Sequence, residues 1–501
     1  MSYDFIKLTG IEKSFGGVKA LQGVSMSVKQ GEIRALAGEN GSGKSTLIKI
    51  ISGVYQPTAG RIEIEGEEFS DFKPIDAINK GIQVVYQDFA VFPNLTVAEN
   101  IAMNSNIKSN KKIMSWKKTR RIALEAMAQI GADLDPDLPL VRLTVAKKQL
   151  VAICRAIISD AKLLILDEPT TALTAKEVEY LNDILRKLKK KGLAIVIVNH
   201  KLDEIYEIAD TLTIIRNGKL IADGNIGEFD RARFVKALTG RNLEDQQYRP
   251  SSSTQEIFKV EHFTKKGAFE DVSFSLQKGD VLGLTGLLGS GRGEIGDALF
   301  GLEPAQSGTI MLNGKTINVH SVKDAVSAGI GYVPEDRLTQ GLFMERSIQD
   351  NTVASNIKKY LNHAVLDYRR MYDDTVQWIK RVNCKAPGPE PPIRTLSGGN
   401  AQKMVIAKWL NTDPKLLILN GPTVGIDVGS KADIFVILHD LAKQGVGIIV
   451  ISDDISELIE NCNKILVMRE GRPSPIYESN DLDSEKLAKL LNGAILEDAD
   501  E

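Results

Sequence analysis

The sequence is poor in cysteine, in long apolar runs and in any excess of one charge. Its 501 residues include only three cysteines, Cys154, Cys384 and Cys462, which are far apart and lack metal-ligand spacing. The longest apolar stretches, such as GVGIIVI, have about seven residues, far fewer than the roughly 20 that cross a bilayer. With 63 basic and 65 acidic residues the net charge is −2. These features argue against a disulfide framework, a membrane span and an electrostatic footprint for nucleic acid.

The amino terminus and the thiols indicate a compartment. The first ten residues, MSYDFIKLTG, lack the basic flank and apolar core of a secretory signal. Three scattered cysteines suit a reducing environment, where they are expected to act as small buried hydrophobic residues. We therefore expect the protein to stay in the cytoplasm.

The chain contains two related halves. Residues 59–66, AGRIEIEG, match residues 307–314, SGTIMLNG, at a spacing of 248 positions. Residues 163–174, LLILDEPTTALT, match residues 416–427, LLILNGPTVGID, at a spacing of 253. One insertion of five residues in the second half would explain the change. The polar segment EDQQYRPSSSTQE between the halves indicates a linker, so we predict domains at 1–245 and 257–501 joined by residues 246–256.

Each half predicts an α/β domain with a mostly parallel sheet. Short strands rich in Val, Ile and Leu alternate with longer amphipathic segments. Continuous apolar runs such as AIVIV, residues 194–198, indicate strands that are buried on both faces.

The first half contains a phosphate-loop pattern, G-x-x-x-x-G-K-[ST], between a short strand and a helical apolar pattern. Glycines at positions 41 and 43 allow backbone N–H groups to converge on phosphate oxygens. Lys44 would reach the β- and γ-phosphates, and the Ser45 hydroxyl would ligate Mg²⁺. A glycine-rich turn without a ligand is a weak alternative, because all the required residues occur together. The predicted nucleotide contacts are Gly38, Glu39, Asn40, Gly41, Ser42, Gly43, Lys44, Ser45 and Thr46.

Two adjacent carboxylates, Asp167 and Glu168, end another apolar strand. Neighbouring carboxylates repel each other unless they share a cation, which favours a metal site over a simple helix N-cap. One carboxylate would join the metal sphere and the other would act on water. His200 follows the strand LAIVIVNH, at the sheet edge where ligands of open α/β sheets bind. From its position alone, a purely structural histidine is an equal alternative.

These segments resemble the tandem ATP-binding subunits of ABC sugar importers of the ribose, galactose and xylose type, over nearly all of both halves. The first half has GENGSGKST, VVYQD, LILDEPTTALT and IVNH, and the second has LSGGN, YVPEDR and GLLGSGR. The resemblance implies two tandem ABC ATPase domains with a phosphate loop. It implies that Asp167 and Ser45 serve the Mg²⁺ sphere and that Glu168 is the general base. His200 and Gln87 would sense or position the γ-phosphate and its water, with Gln87 also near the metal.

The resemblance assigns further nucleotide contacts. Phe15, in KSFGG, would stack on adenine. Residues 396–400, LSGGN, which we call the signature, would contact the nucleotide through Ser397, Gly398, Gly399 and Asn400. In the second half the segment KKGAF is shortened and has no aromatic residue in register with Phe15.

The chain departs from the family pattern on opposite sides of its two halves. In the first half the segment that corresponds to the signature is altered to LTVAK, residues 143–147. In the second half the altered positions are those that correspond to Lys44, Ser45, the two acids and His200. They hold Arg292, Gly293, Asn420, Gly421 and Asp453.

Because ABC domains pair head to tail, these departures fall into one site. The intact phosphate loop and acids of the first half would meet the intact signature of the second half, which predicts one competent composite site. The other combination gathers every altered residue and would at most hold nucleotide, since general-base assistance worth roughly 10² to 10⁴ in rate is absent.

The resemblance implies an ATPase at the cytoplasmic face of the membrane, with ATP and Mg²⁺ as cofactors. Its expected partners are two membrane permease subunits and, through them, an extracytoplasmic solute-binding protein, with no nucleic acid. Gln87 and the residues after it, and EDRLTQGLFMERS in the second half, resemble the surfaces that receive the permease. Two alternatives remain at this point: a soluble tandem ATPase that acts on ribosomes or nucleic acid, and a nucleotide-binding regulator. The solute is a sugar by family only, since sugar alcohols, nucleosides and a signalling furanose stay open.

Overall fold

The structure is a computed structural model that describes residues 4–86, 91–108, 115–170, 173–199, 202–240, 247–250, 253–363 and 365–493. It divides into two compact units, residues 1–243 and 244–501. We describe each unit by itself.

The first unit alternates strands and helices. Its elements are β1 (Asp4–Phe15), β2 (Val18–Lys29), β3 (Ile33–Ala37), α1 (Lys44–Ile51), β4 (Ala59–Ile64), β5 (Glu67–Phe69), α2 (Pro74–Asn79), β6 (Ile82–Val85), α3 (Val97–Lys108), α4 (Trp116–Ile130), α5 (Val145–Ile158), β7 (Leu163–Asp167), α6 (Ala175–Lys190), β8 (Ala194–Val198), α7 (Leu202–Ile208), β9 (Thr211–Arg216), β10 (Lys219–Asn225) and α8 (Arg231–Thr239).

The second unit repeats this order and adds a short hairpin. Its elements are β11 (Glu256–Lys265), β12 (Phe269–Gln277), β13 (Val281–Gly286), α9 (Arg292–Phe300), β14 (Ser307–Leu312), β15 (Lys315–Ile317), α10 (Val322–Ala328), β16 (Ile330–Val333), α11 (Ile348–Val353), β17 (Leu361–Asn362), β18 (Val365–Leu366), α12 (Tyr368–Arg381), α13 (Gly398–Leu410), β19 (Leu416–Asn420), α14 (Val428–Gln444), β20 (Gly447–Ile451), α15 (Ile455–Asn461), β21 (Lys464–Arg469), β22 (Arg472–Glu478) and α16 (Ser484–Leu491).

Each unit contains one antiparallel and one mostly parallel sheet. In the first unit the antiparallel sheet has the order β2-β1-β4-β5, and the larger sheet has the order β10-β9-β3-β8-β7-β6. Strands β9, β3, β8, β7 and β6 run parallel, and only β10 is antiparallel. The predicted α/β fold is confirmed. The parallel order brings the carboxyl ends of β3, β8, β7 and β6 to one edge, where the candidate site lies.

The apolar run of β7 shows why these strands are buried on both faces. Successive side chains of a strand point to opposite faces. Leu163 and Ile165 pack into a core with β1, β2 and α1, while Leu164 and Leu166 pack into a second core with α3, α4, α5 and α6. All four side chains are fully buried. The sheet is therefore fixed between two apolar layers, and its carboxyl edge is a rigid base for functional side chains.

The prediction of one insertion of five residues is wrong, because the structure divides the insertion between two places. Asn100 accepts a hydrogen bond from the Phe92 amide, and Asn351 makes the same contact with Phe343, so this part matches at a spacing of 251. Three extra residues therefore lie between β16 and Phe343. The other two lie beyond Asn351, since the spacing is 253 by the start of α13.

The predicted shortening of the first hairpin in the second unit is confirmed. In the first unit Ile11 pairs with Val24, 13 positions later. In the second unit Phe263 pairs with Val272, only 9 positions later. Phe263 thus takes the buried place of Ile11, and the shorter hairpin has no residue that corresponds to Phe15.

Part of the predicted linker packs on the second unit. The ring of Tyr248 is buried and stacks on His439 of α14 with ring centroids 4.1 Å apart. The Tyr248 hydroxyl donates to the Gly279 carbonyl at 2.8 Å, and its amide donates to the Glu460 carbonyl at 3.0 Å. Sequence composition indicated only a polar connection, so this anchor is a structural finding.

The three cysteines are buried thiols, as predicted. Burial raises the pKa of Cys154 to about 12 and that of Cys384 to about 11. Among the described residues, the helices are all too short or too polar to cross a bilayer.

Candidate active site

The phosphate loop, residues 38–46, connects β3 to α1 at the carboxyl edge of the sheet. Lys44 opens α1 and is 7% exposed. Its ammonium group donates to the carbonyls of Gly38 at 2.7 Å and Glu39 at 3.0 Å. The Ser42 hydroxyl is buried in the same loop without a hydrogen-bond partner among the described atoms. The loop therefore has a cation and a polar group directed into a closed turn of backbone, as phosphate binding requires.

Gly43 connects the phosphate loop to the hairpin that carries Phe15. Its backbone has φ of +109°, and an added Cβ would lie 2.6 Å from the Ala20 carbonyl of β2. No larger residue fits this approach without a shift of the hairpin. Phe15 ends β1, is 43% exposed and contacts Tyr55 edge to face at 5.2 Å between ring centroids. A partly exposed aromatic ring thus lies on the same hairpin that contacts the phosphate loop, and its contact with adenine stays a prediction.

Asp167 and Glu168 lie at the carboxyl end of β7, near the phosphate loop. Asp167 is half-buried, and its pKa is raised mainly by burial and then by the Glu168 charge, while Lys44 and Lys49 oppose the rise. Asp167 therefore interacts electrostatically with both Glu168 and Lys44. A divalent cation placed among them would offset the repulsion between the carboxylates.

Glu168 adopts a left-handed backbone conformation with φ of +48°. Its amide donates to the Val198 carbonyl of β8 at 3.0 Å. In the second unit Gly421 has φ of +56° and makes the same bond to Ile451 at 2.8 Å. The turn after the strand is thus the same in both units, but glycine adopts it without the strain that a side chain causes.

The residues of the first unit fit a Mg²⁺ ion that is bound together with a nucleotide. Within the described ranges, His, Cys, Asp and Glu side chains nowhere gather in a group of three that could hold a metal alone. Mg²⁺ in nucleotide sites needs only one or two protein ligands, because phosphates and water complete its octahedron. The Ser45 hydroxyl and the Asp167 carboxylate meet that requirement.

Gln87 and His200 lie outside the described residues, so their predicted roles stay predictions. The structure does describe Asn199, the residue before His200, which is 4% exposed. Its amide donates to the Glu204 carboxylate at 2.7 Å and to the Thr170 hydroxyl at 3.3 Å. The chain is therefore firmly held at the carboxyl end of β8.

The signature precedes and opens α13 in the second unit. Ser397 is the N-cap residue, but its hydroxyl accepts no bond from the described backbone of the helix. It instead accepts from the side-chain amide of Asn400 at 2.8 Å. Gly399 is buried, and an added Cβ would lie 2.2 Å from the Ser430 hydroxyl oxygen. The hydroxyl of Ser397 can therefore still donate its proton, and the first N–H groups of α13 are those that a phosphate oxygen would meet.

The corresponding helix of the first unit is closed by its own cap. Thr144 has nearly the same backbone conformation as Ser397, but its hydroxyl accepts from the Lys147 amide at 3.4 Å. Val145 and Ala146 replace the two glycines of the signature. The altered signature thus places side chains where an intact signature has only backbone.

The altered residues of the second unit contact one another. Arg292 donates to the Gly286 carbonyl at 2.6 Å, as Lys44 does to Gly38, and its second nitrogen lies 3.6 Å from Asp453. The Asn420 amide donates to the Tyr332 hydroxyl at 3.3 Å. The second unit therefore has the Arg292–Asp453 ion pair at the positions of Lys44 and His200 in the first unit, and the neutral side chain of Asn420 at the position of Asp167.

Sequence reasoning noted Arg292 and Asp453 separately and missed their pairing. The signal was available, because both follow parallel strands that end at one sheet edge. It also missed the support behind Asn420: the Tyr332 hydroxyl donates to Asp297 at 2.6 Å. Burial, and then this bond, raise the pKa of Tyr332 well above its usual value. No sequence motif marks that pair.

A family pattern and two full-length relatives agree on the family of this chain. The sequence pattern of the ABC transporter family matches residues 21–171 and 269–424. A ribose import ATP-binding protein of Clostridium perfringens (strain SM101 / Type A) is 40% identical over 494 residues, which cover 97% of this chain and 98% of that protein. A ribose import ATP-binding protein of Geobacillus kaustophilus (strain HTA426) is 38% identical over 490 residues, which cover 97% of this chain and 99% of that protein.

Proposed function

Because this chain belongs to the ABC transporter family, and is an ATPase of that family, we propose that it energises the import of a sugar through a membrane permease. The main support for the ATPase chemistry is that Lys44, Asp167 and Glu168 lie at the same edge of the sheet. Two relatives that align with 97% of the chain are ribose import ATP-binding proteins. Ribose or a closely related sugar is therefore the solute that we propose.

The residues of the first unit divide the work of hydrolysis. The N–H groups of the phosphate loop and Lys44 hold the β- and γ-phosphates. Glu168 accepts a proton from the attacking water. Ser45 and Asp167 would hold a Mg²⁺ ion together with the nucleotide, and the ion would supply positive charge against the phosphate oxygens. Phe15 would hold the adenine ring.

We further propose that the signature of the second unit completes this site. The Ser397 hydroxyl and the N–H groups at the start of α13 would stabilise charge on the γ-phosphate. We also propose that the second phosphate loop does not hydrolyse ATP. Two observations support this: neither Asn420 nor Gly421 is a carboxylate, and Arg292 is paired with Asp453.

Its proposed partners are two membrane permease subunits and, through them, an extracytoplasmic solute-binding protein. The chain would then act at the cytoplasmic face of the membrane. The near-neutral net charge of −2 supports a protein partner rather than a nucleic acid.

The first test is the substitution Glu168→Gln, with Glu179→Gln on an exposed face of α6 as the matched control. We expect Glu168→Gln to lower steady-state phosphate release by at least about 10²-fold, the usual value of general-base assistance, with ATP affinity unchanged. The control should match the parent. Turnover of Glu168→Gln within two-fold of the parent would remove Glu168 from the mechanism, and a parent without turnover would favour a nucleotide-binding regulator.

The solute is tested in membranes that contain the permease and the solute-binding protein. Phosphate release is measured with ribose, galactose, xylose, a sugar alcohol and a nucleoside. We expect stimulation by ribose or one of the other two sugars. Stimulation by the nucleoside or the sugar alcohol alone would contradict a sugar as the solute.

A further inference from the structure

The second unit has an inserted turn beside its signature. Three extra residues lie between β16 and Phe343 relative to the first unit, and here the chain forms a single π-helical turn, Arg337–Gly341. Asp336 fixes the start of the turn, because its carboxylate accepts from the amides of Leu338 at 3.0 Å and Thr339 at 3.2 Å and from the Thr339 hydroxyl at 2.6 Å. The insertion is thus an ordered structure.

Arg337 extends from this turn to the signature. Its guanidinium donates to the Val424 carbonyl at 2.7 Å and the Gly425 carbonyl at 3.4 Å, both in the loop between β19 and α14. The same group lies against the first residue of α13, since an added Cβ on Gly398 would be 2.8 Å from its Nη2 atom. One side chain therefore contacts the inserted turn, the loop after Gly421 and the signature.

The position of Arg337 is held at a cost. Its Nε atom is buried without a hydrogen-bond partner among the described atoms, and an unpaired buried donor destabilises the folded state. Burial also lowers the pKa of the guanidinium. A residue that served only to close the turn would not need this placement, because Asp336 already closes it.

The other end of the turn is attached to the same helix. Lys408, near the end of α13, is 9% exposed and donates from its ammonium group to the Gly341 carbonyl at 2.8 Å. Burial lowers the pKa of Lys408 to about 8. The turn is therefore bound to the beginning of α13 through Arg337 and to its last part through Lys408.

We propose that Arg337 is a positioning residue for hydrolysis, which holds Ser397 and Gly398 at the place where they meet the γ-phosphate. The proposal rests on the function proposed above, in which the signature serves the nucleotide of the first unit. It also assigns a function to the inserted turn, which carries Arg337 against Gly398 at the start of α13.

The test compares Arg337→Met and Arg337→Lys with Arg472→Met in the full chain. Arg472 forms an exposed ion pair with Glu270 at 3.0 Å and is the matched control. We expect Arg337→Met to lower kcat by about 10-fold or more, the effect of losing a charge-assisted hydrogen bond. ATP affinity should stay within two-fold, because Lys44 and Phe15 belong to the other unit. Lysine keeps the positive charge and N–H donors on a single nitrogen, so it should restore part of kcat.

Three outcomes decide the proposal. A kcat of Arg337→Met within two-fold of the parent overturns it, and so does an equal loss of kcat and ATP affinity. A fall in kcat that accompanies a much lower Tm, without recovery in Arg337→Lys, also overturns it, because Arg337 would then act only in folding. Failure of the proposed function is separate: it would appear as an inactive parent or an active Glu168→Gln variant.

Discussion

At the scale of single residues, Glu168 of the first unit and Gly421 of the second unit share a left-handed backbone conformation, but only Glu168 has a side chain there. An L-residue in the left-handed region costs roughly 1–2 kcal/mol, and Glu168 adopts it with φ of +48°. Gly421 adopts the same conformation without that cost. The strained residue is the one whose carboxylate we propose as the general base, and strain is usually retained at functional sites.

The two basic residues of the phosphate loops are expected to differ in their effect on activity. Lys44→Ala removes the cation that would hold the phosphates, so ATP affinity should fall roughly 10- to 100-fold, as for the loss of a charged hydrogen bond. Arg292→Ala should change hydrolysis by less than about two-fold, because Arg292 pairs with Asp453. Equilibrium binding and phosphate release measure both. Equal losses from the two substitutions would mean that the second phosphate loop also works.

The sequence predicted the position of most site residues but not their contacts. Motif spacing located Lys44, Asp167 and Glu168, because each motif requires a strand end and the strands are parallel. It could not show that Arg292 contacts Asp453, since long-range pairing of side chains depends on the packed sheet. It also gave no signal for Arg337, whose partners are backbone carbonyls of a distant loop.

At the scale of elements, the starts of α5 and α13 provide a paired test of the composite site. Ser397→Arg places a bulky cation beside the first N–H groups of α13, so hydrolysis should fall at least about 10-fold while ATP affinity changes less. Thr144→Arg should keep most activity, although loss of the cap costs the fold about 1 kcal/mol. Phosphate release and Tm are measured for both. If Thr144→Arg silences the enzyme and Ser397→Arg does not, the proposed pairing is wrong.

The anchor of Tyr248 on α14 predicts a pH dependence of stability. Burial lowers the pKa of His439 below its usual 6.5, so the unfolded chain binds this proton more readily. Stability from His439 is then fully present above pH 6.5 and falls as the pH decreases toward the folded pKa. Between pH 7.5 and 5.5, His439→Gln should lose roughly 2 °C less in Tm than the parent, as expected for a change below 1 kcal/mol.

Calorimetry of the parent, His439→Gln and His262→Gln gives the required comparison. The side chain of His262 is 83% exposed beside Asp271, so its substitution serves as the control. An identical pH slope in the parent and His439→Gln would contradict the assigned role of His439.

The repeat predicted the elements better than it predicted the loops. A constant spacing within each matched stretch located the strands and helices, because both units bury the same apolar pattern. The prediction of a single insertion was wrong, since loop residues do not contribute to that pattern. The anchoring of Tyr248 was also not predictable, because one aromatic residue in a polar segment carries no periodic signal.

At the scale of the whole molecule, we expect activity to depend on a membrane partner. The purified chain should hydrolyse ATP slowly, and the permease pair should stimulate it several-fold, as expected when a conformational step limits turnover. Retention on membranes with and without the permease, measured beside phosphate release, tests this. Full activity of the isolated chain together with no retention on permease membranes would contradict the importer.

The turn at Gly421 also bears on the history of the duplicated chain. Returning a side chain there would require the left-handed conformation, and its Cβ would lie 3.1 Å from Val424 and 3.2 Å from Glu335. Asn420 meanwhile bonds to Tyr332. An acid at position 421 would therefore need the left-handed backbone and a small shift of both neighbouring side chains, and an acid at position 420 would lose the bond that the Asn420 amide donates to Tyr332. The division of labour between the two copies is therefore difficult to reverse by stepwise mutation.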